Sequence, residues 1–149
     1  MNEVLDDPRA VEFLLRLVCS ALFHHGREAL KLYKITPQQF EVMVMTYTTG
    51  QVSQVELPKK LFLAKSTVSA LLDRLEKQGY IRREQSQADR RTYLITLTMK
   101  GRGVVMDVLE RRGELVKRML EALEPKLRAA FVEALQKVAR FAESLEGQP

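Results

Sequence analysis

Ser66, Thr67 and Ser69 stand beside Lys65, Arg74 and Lys77, and a second polar cluster follows at Asp89, Arg90 and Arg91. Short hydroxyl side chains near a helix N-terminus suit phosphate oxygens and base edges, without sharp discrimination among bases. Lysine and arginine neutralise phosphates, which supplies affinity and register but little sequence information. Nucleic acid is therefore the first partner that this pattern implies. Each group also has a plainer reading. Exposed cations on a helix usually form a solvated face, and taken alone Lys59, Lys60 and Lys77 are read that way. Thr67 serves equally as a local cap, and Asp89 with Arg91 as a turn salt bridge.

The charge distribution favours the nucleic-acid reading. Residues 58–91 hold nine Lys or Arg against four Asp or Glu, whereas the remainder of the chain holds fifteen of each. All of the formal net charge of +5 lies in that one stretch.

Other chemistries find little support. The sequence contains no P-loop, GxGxxG, GxSxG or HExxH pattern, and an enzyme is not expected. Adjacent His24 and His25 point about 100° apart on a helix and do not share one metal ion without help from elsewhere. Cys19 and His25 lie on opposite helix sides, which argues against a nucleophile–base dyad. The single cysteine excludes an intrachain disulfide framework, and Cys19, between Val18 and Leu22, is expected to pack as a small hydrophobe. No metal or cofactor is implied. No apolar run approaches the ~20 residues that cross a bilayer, and the acidic start with Glu3, Asp6 and Asp7 lacks a signal peptide's positive flank, so the expected location is cytoplasmic.

The elements that must position these groups are mostly helical. Apolar residues at Val11, Leu14, Leu15, Val18, Leu22 and Leu30 predict a helix over 8–33. Phe13, Leu17, Ala21 and Phe23 widen its stripe beyond one face, so it must bury against more than its own small domain. Thr36 as N-cap, Pro37 and Gln39 start the next helix, which Gly50 ends. A second capping box, Ser53 with Glu56, predicts a short helix through Leu61 that Pro58 bends or delays. Residues 65–78 form another helix, closed by Gly79, with Val68, Leu71, Leu72 and Leu75 inward and Ala70 among the outward residues. The period then changes to that of a hairpin, with strands over 80–84 and 92–97. Thr98 caps a long helix to about Leu123, although Gly101, Gly103 and Gly113 argue against its being unbroken. Glu124 and Pro125 open a last helix to about Leu145 with another broad apolar face.

The run from Leu63 through Ser66-Thr67-Val68-Ser69-Ala70-Leu71-Leu72-Asp73-Arg74-Leu75-Glu76 to Gly79-Tyr80-Ile81-Arg82-Arg83 is followed by Asp89-Arg90-Arg91 and Leu94-Ile95-Thr96-Leu97-Thr98, with Gly101 three residues later. Together with Thr36-Pro37-Gln38-Gln39-Phe40 and the helix order, this closely resembles the MarR family of transcription regulators. The resemblance implies a mainly α fold with a small β-hairpin wing, in which a winged helix-turn-helix lobe (36–98) is flanked by dimerisation helices (8–35 and 124–146) and joined by a long connecting helix (99–123). It further implies a homodimer on a pseudo-palindromic duplex, residues 65–78 as recognition helix in the major groove, Asp89 orienting an Arg91 that enters the minor groove, and Arg90 on the backbone. In many members a small aromatic acid, metal or oxidant acting near the junction of dimer helices and DNA-binding lobe lowers DNA affinity, and the effector the resemblance suggests here is a small aromatic or phenolic compound. His24, Arg27, Tyr33, Met43 and Tyr47 are its candidate lining, with plain core packing preferred for Met43. Cys19 does not sit where the family's peroxide sensors carry their reactive cysteine. Three departures stand out: Ala64 where the family has a Ser N-cap, Phe62 in place of a turn Gly, and Leu57-Pro58 for Leu-Ala. A bulky Phe62 is expected to anchor the turn to the core. The competing reading is a winged-helix interaction module that turns the same basic face to an acidic protein.

Overall fold

The structure, a computed structural model, describes residues 7–146. The described residues divide into two compact units, 7–112 and 113–146.

In the first unit, Asp7 accepts from the Arg9 amide (3.0 Å) and starts helix α1 (Pro8–Tyr33), with Pro8 in the first turn. Helix α2 (Pro37–Thr49) begins on the expected capping box: Thr36 Oγ1 accepts from the Gln39 amide at 3.2 Å, and Gln39 Oε1 accepts from the Thr36 amide at 2.8 Å. The expected second box does not form. Val52 and Ser53 instead make a short strand β1 (Val52–Ser53), paired with Ile95 and Leu94, because this buries Val52 and satisfies a strand edge. Helix α3 (Leu57–Leu61) consequently starts late, with Pro58 in its first turn and Glu56 as a cap without a side-chain bond.

After a tight turn, α4 (Lys65–Lys77) buries Val68, Leu71, Leu72 and Leu75 as its period predicts. Its end is closed by Gly79 at φ 75°, and the Tyr80 amide bonds back to the Leu75 carbonyl at 2.9 Å. The Tyr80 amide is thereby committed to α4 while its carbonyl accepts from the Thr98 amide at 3.0 Å, and β2 (Ile81–Gln85) begins one residue later than expected. Thr92 is likewise held in the turn by its 2.9 Å bond to the Asp89 carbonyl, and β3 (Tyr93–Leu97) begins after it. The three strands form an antiparallel sheet of order β1-β3-β2.

Thr98 Oγ1 accepts from the Gly101 amide at 3.0 Å and caps α5 (Met99–Glu121), which is unbroken despite its three glycines. Gly101 has a packing reason: a Cβ there would overlap the Tyr80 carbonyl. The missing side chain lets α5 lie against the end of α4. Phe40, Met43, Leu57, Leu72, Leu75 and Val105 are among the fully buried side chains of one core that draws on α1 to α5 and the sheet.

In the second unit, Arg128 donates from Nε to the Leu120 carbonyl (2.9 Å) and from its terminal nitrogen to that of Leu123 (3.2 Å), which closes α5 before α6 (Pro125–Glu146).

Phe62 and Cys19 also depart from expectation. Phe62 does not anchor the turn: its ring is 88% exposed and its backbone left-handed, because the turn that leads into α4 carries the side chain outward. Cys19 is exposed rather than packed, since α1 buries only Gly26, Ala29 and Leu30 near its C-terminal end.

Candidate nucleic-acid interface

Helix α4 begins without a side-chain cap. Ala64 is extended and offers only its carbonyl, which accepts from the Val68 amide at 3.1 Å. The amides that open the helix therefore face outward with the positive end of its dipole. Lys65, Ser66 and Thr67 are exposed around them, and Ser69 is half-buried. Thr67, Ala70, Arg74 and Lys77 follow the helical spacing along one exposed stripe.

The wing turn is organised by Asp89. Its carboxylate accepts from the Arg91 amide at 2.9 Å and from the Thr92 hydroxyl at 3.2 Å. Gln85 Nε2 donates to the Arg90 carbonyl at 2.6 Å. Among the described residues, no ion pair joins Asp89 to the Arg91 guanidinium. Asp89 thus shapes the backbone from which Arg91 projects, and leaves that guanidinium uncommitted. Lys65 and Arg91 line one cleft of about 190 Å³ between the start of α4 and the wing, with Gln54, Pro58 and Tyr93 among its other walls. The structure therefore brings the helix cation and the wing cation to one opening.

Arg83 is a residue that the sequence reasoning missed. From β2 it reaches back to α4, bonding Asp73 and, at 2.9 Å, Glu76. Its side chain is only 18% exposed. Burial works against its charge, but the two carboxylates outweigh that and move its pKa upward. The pairing clamps the wing strand to the helix and neutralises two carboxylates beside the cationic stripe. Asp73 and Glu76 share one helix face at i, i+3, and that spacing was the available signal; their partner shows only once the hairpin is packed.

The MarR family model matches residues 35–93. YsmB, an uncharacterised HTH-type transcriptional regulator of Bacillus subtilis, is 34% identical over 137 residues, covering 92% of this chain and 94% of that protein. The chain belongs to the MarR family. The transcriptional regulator Tm0710 from Thermotoga maritima is 32% identical, with a TM-score of 0.75 over 95% of this chain and 99% of that one. A MarR family protein from Bacillus stearothermophilus is 31% identical, with a TM-score of 0.80 over 89% and 93% of the two chains. As a MarR-family member, the protein is a DNA-binding transcription regulator with a winged-helix fold.

The effector candidates of this MarR chain differ in burial. Met43 is fully buried in the core, and Tyr47 packs partly against it. His24 and Arg27 are exposed on α1. Tyr33 joins a hydrogen-bonded chain instead: its hydroxyl donates to Asp107 at 2.7 Å, and Arg111 binds the same carboxylate at 2.9 Å. Hydrogen bonds from Arg111 and then Tyr33 hold the Asp107 carboxyl below the usual carboxylate range, while the bond to Asp107 raises Tyr33. The Tyr33 carbonyl accepts from the Tyr80 hydroxyl at 3.1 Å, and the Lys34 carbonyl from Gln78 Nε2 at 3.1 Å. The end of α4 is thereby tied to the end of α1 and, through Asp107, to α5. One turn away, the Arg112 guanidinium lies 4.8 Å from the Phe40 ring and 5.6 Å from that of Phe23. Gly26 leaves room for it, since a Cβ there would collide with that side chain. Among the described residues Arg112 Nε is buried without a hydrogen-bond partner, and burial lowers the group's pKa.

Proposed function

We propose that this MarR-family regulator acts as a homodimer that sets two α4–wing surfaces on a pseudo-palindromic duplex and represses transcription by occluding a promoter. The observation that carries this reading is the uncovered apolar surface of the terminal helices. On α1, Phe13, Leu14, Leu17 and Val18 are exposed; on α6, Leu127, Leu135, Val138 and Phe141 are exposed. Apolar faces of this extent mark protein contacts, and a second copy offers the same faces in return. The dimer also has a mechanical purpose, because two recognition helices reach half-sites about 34–36 Å apart on one side of the duplex.

In this reading Ser66, Thr67, Ser69 and Ala70 meet the major groove, while Lys65, Arg74, Lys77 and Arg90 meet phosphates. Arg91 enters the adjacent minor groove. Repression is relieved by a small aromatic or phenolic effector that favours a poorly binding conformer. The tie from α4 through Tyr33 to α5 supports that coupling. So does Arg112, a cation between aromatic rings that lacks a partner for its Nε. Regulation in the cytoplasm follows from the same role.

The test is titration of the protein against its own upstream intergenic DNA and against random duplex of equal length, at two salt concentrations. Tight binding to the upstream DNA alone, with two protomers per site, is expected. Weak, equal and steeply salt-dependent binding to both overturns self-repression at that promoter and leaves only a basic surface.

A further inference from the structure

The turn between α3 and α4 carries a side chain that the fold does not use. Phe62 has the highest exposure of any large hydrophobic among the described residues, at 88%. Its backbone sits at φ 54°, ψ 40°, a conformation that costs a residue with a Cβ and costs glycine nothing. Lys34, the other non-glycine residue with positive φ among those described, has a use for its conformation, since its carbonyl accepts from Gln78 and links two helices. Neither burial nor turn geometry accounts for an aromatic ring at 62. A strained, solvent-facing side chain of this kind points to an external contact.

Its place in the fold says what that contact is. Phe62, Ala64, Lys65, Ser66 and Thr67 are all exposed, so the ring is presented from the turn that leads directly into the exposed first turn of α4, with half-buried Leu63 packed against the core between them. Exposed Lys59 and Lys65 flank it on either side in sequence. Cations around an apolar ring match a polyanion that also presents apolar spots. In duplex DNA those spots are the 5-methyl groups of thymine, the one apolar feature of the major-groove edges.

We propose that Phe62 is an apolar DNA contact whose ring meets thymine methyl groups at the edge of the site that α4 enters, adding affinity for thymine-bearing half-sites. This rests on the reading of α4 as the DNA-reading helix. The contact is one that glycine at the same turn position does not make, so it distinguishes this chain's site preference from those of relatives with a glycine turn.

The test uses the full-length protein, a duplex that the wild type enriches from a random library, and the same duplex with half-site thymines replaced by deoxyuridine. Phe62→Gly suits the left-handed turn, so its melting temperature is not expected to fall. Its affinity for the enriched duplex is expected to drop roughly 10-fold, the effect of losing a partly buried ring. The salt slope stays unchanged, because no phosphate contact is lost. Thymine-to-deoxyuridine replacement is expected to weaken the wild type about 4-fold more than it weakens Phe62→Gly. Equal affinity of variant and wild type for the enriched duplex overturns the proposal, as does an equal deoxyuridine effect in both proteins. Loss of binding to an acidic protein with no change toward DNA also overturns it. A wild type that enriches no duplex removes the DNA reading of α4 and the Phe62 contact together, which separates that failure from the failure of Phe62 alone.

Discussion

The winged-helix lobe and helix α6 are both rich in large apolar residues, yet they use them in opposite ways. Between Ile35 and Val108 the chain closes a core in which Phe40, Leu57, Leu72 and Ile95 are fully buried. Among the described residues of α6 none is buried, and Leu127, Leu135, Val138 and Phe141 are exposed. Most of α1 resembles α6 in this respect, burying residues only near the end that joins the lobe. The lobe buries its apolar residues within one chain; the terminal helices leave theirs uncovered, which the proposed dimer would bury. Hydrophobic content by itself therefore does not say where a core is, and the breadth of the apolar stripe is the more informative property.

Truncating matched aromatic residues gives the largest separation between the regions. Phe40→Ala is expected to cost about 3–5 kcal/mol of fold stability in a denaturant melt, whereas Phe141→Ala leaves the lobe's unfolding within about 0.5 kcal/mol and weakens self-association in sedimentation. Comparable losses in both assays for both variants would erase the contrast. Gly101→Ala comes next. Its Cβ would displace the Tyr80 carbonyl from α5, at a cost of about 1–3 kcal/mol and with reduced DNA affinity, because Tyr80 and Gln78 tie the end of α4. Gly103→Ala, which meets nothing within 4 Å, is its control and should not destabilise.

Within the lobe, Arg83→Met should weaken duplex binding about 10-fold by freeing Asp73 and Glu76 beside the cationic stripe, and adding Asp73→Asn should recover part of the loss. No recovery would assign Arg83 a purely mechanical role. Arg91→Ala is expected to weaken binding and to reduce the salt slope by about one; an unchanged slope takes Arg91 out of the interface. The smallest effect concerns pH. Asp107 has a lowered folded pKa, so its contribution is fully present above the unfolded carboxylate value of about 4 and is lost as pH falls through the lower folded one. Asp107→Asn should narrow the difference between denaturant midpoints at about pH 7 and about pH 3. An unaltered difference would place the acid sensitivity elsewhere.

Much of this architecture was legible in the sequence where local rules and packing agree. Thr36, Pro37 and Gln39 fix the start of α2 by bonds within a few residues, and the stripe Val68-Leu71-Leu72-Leu75 is buried as its period requires. Ser53 and Glu56 satisfy the same capping rule and were still misread, because pairing with β3 competes for Ser53 and depends on residues some forty positions away. Phe62 was misread for a related reason: its size suggested a core contact, and the direction of the turn decided otherwise. Of the candidate interface, the sequence showed the cations and hydroxyls but not their organisation. Asp89 acts on the Arg91 amide, and Arg83 finds partners on another element. Both are tertiary facts that spacing does not carry.

Sedimentation equilibrium of the free protein over a range of concentrations tests the central contrast most directly. A species of twice the 17.1 kDa chain mass, reduced to the chain mass when a charge replaces Leu135 on α6, is the predicted result. A wild-type protein that stays at the chain mass at every concentration would contradict the account of the terminal helices as half of an interface.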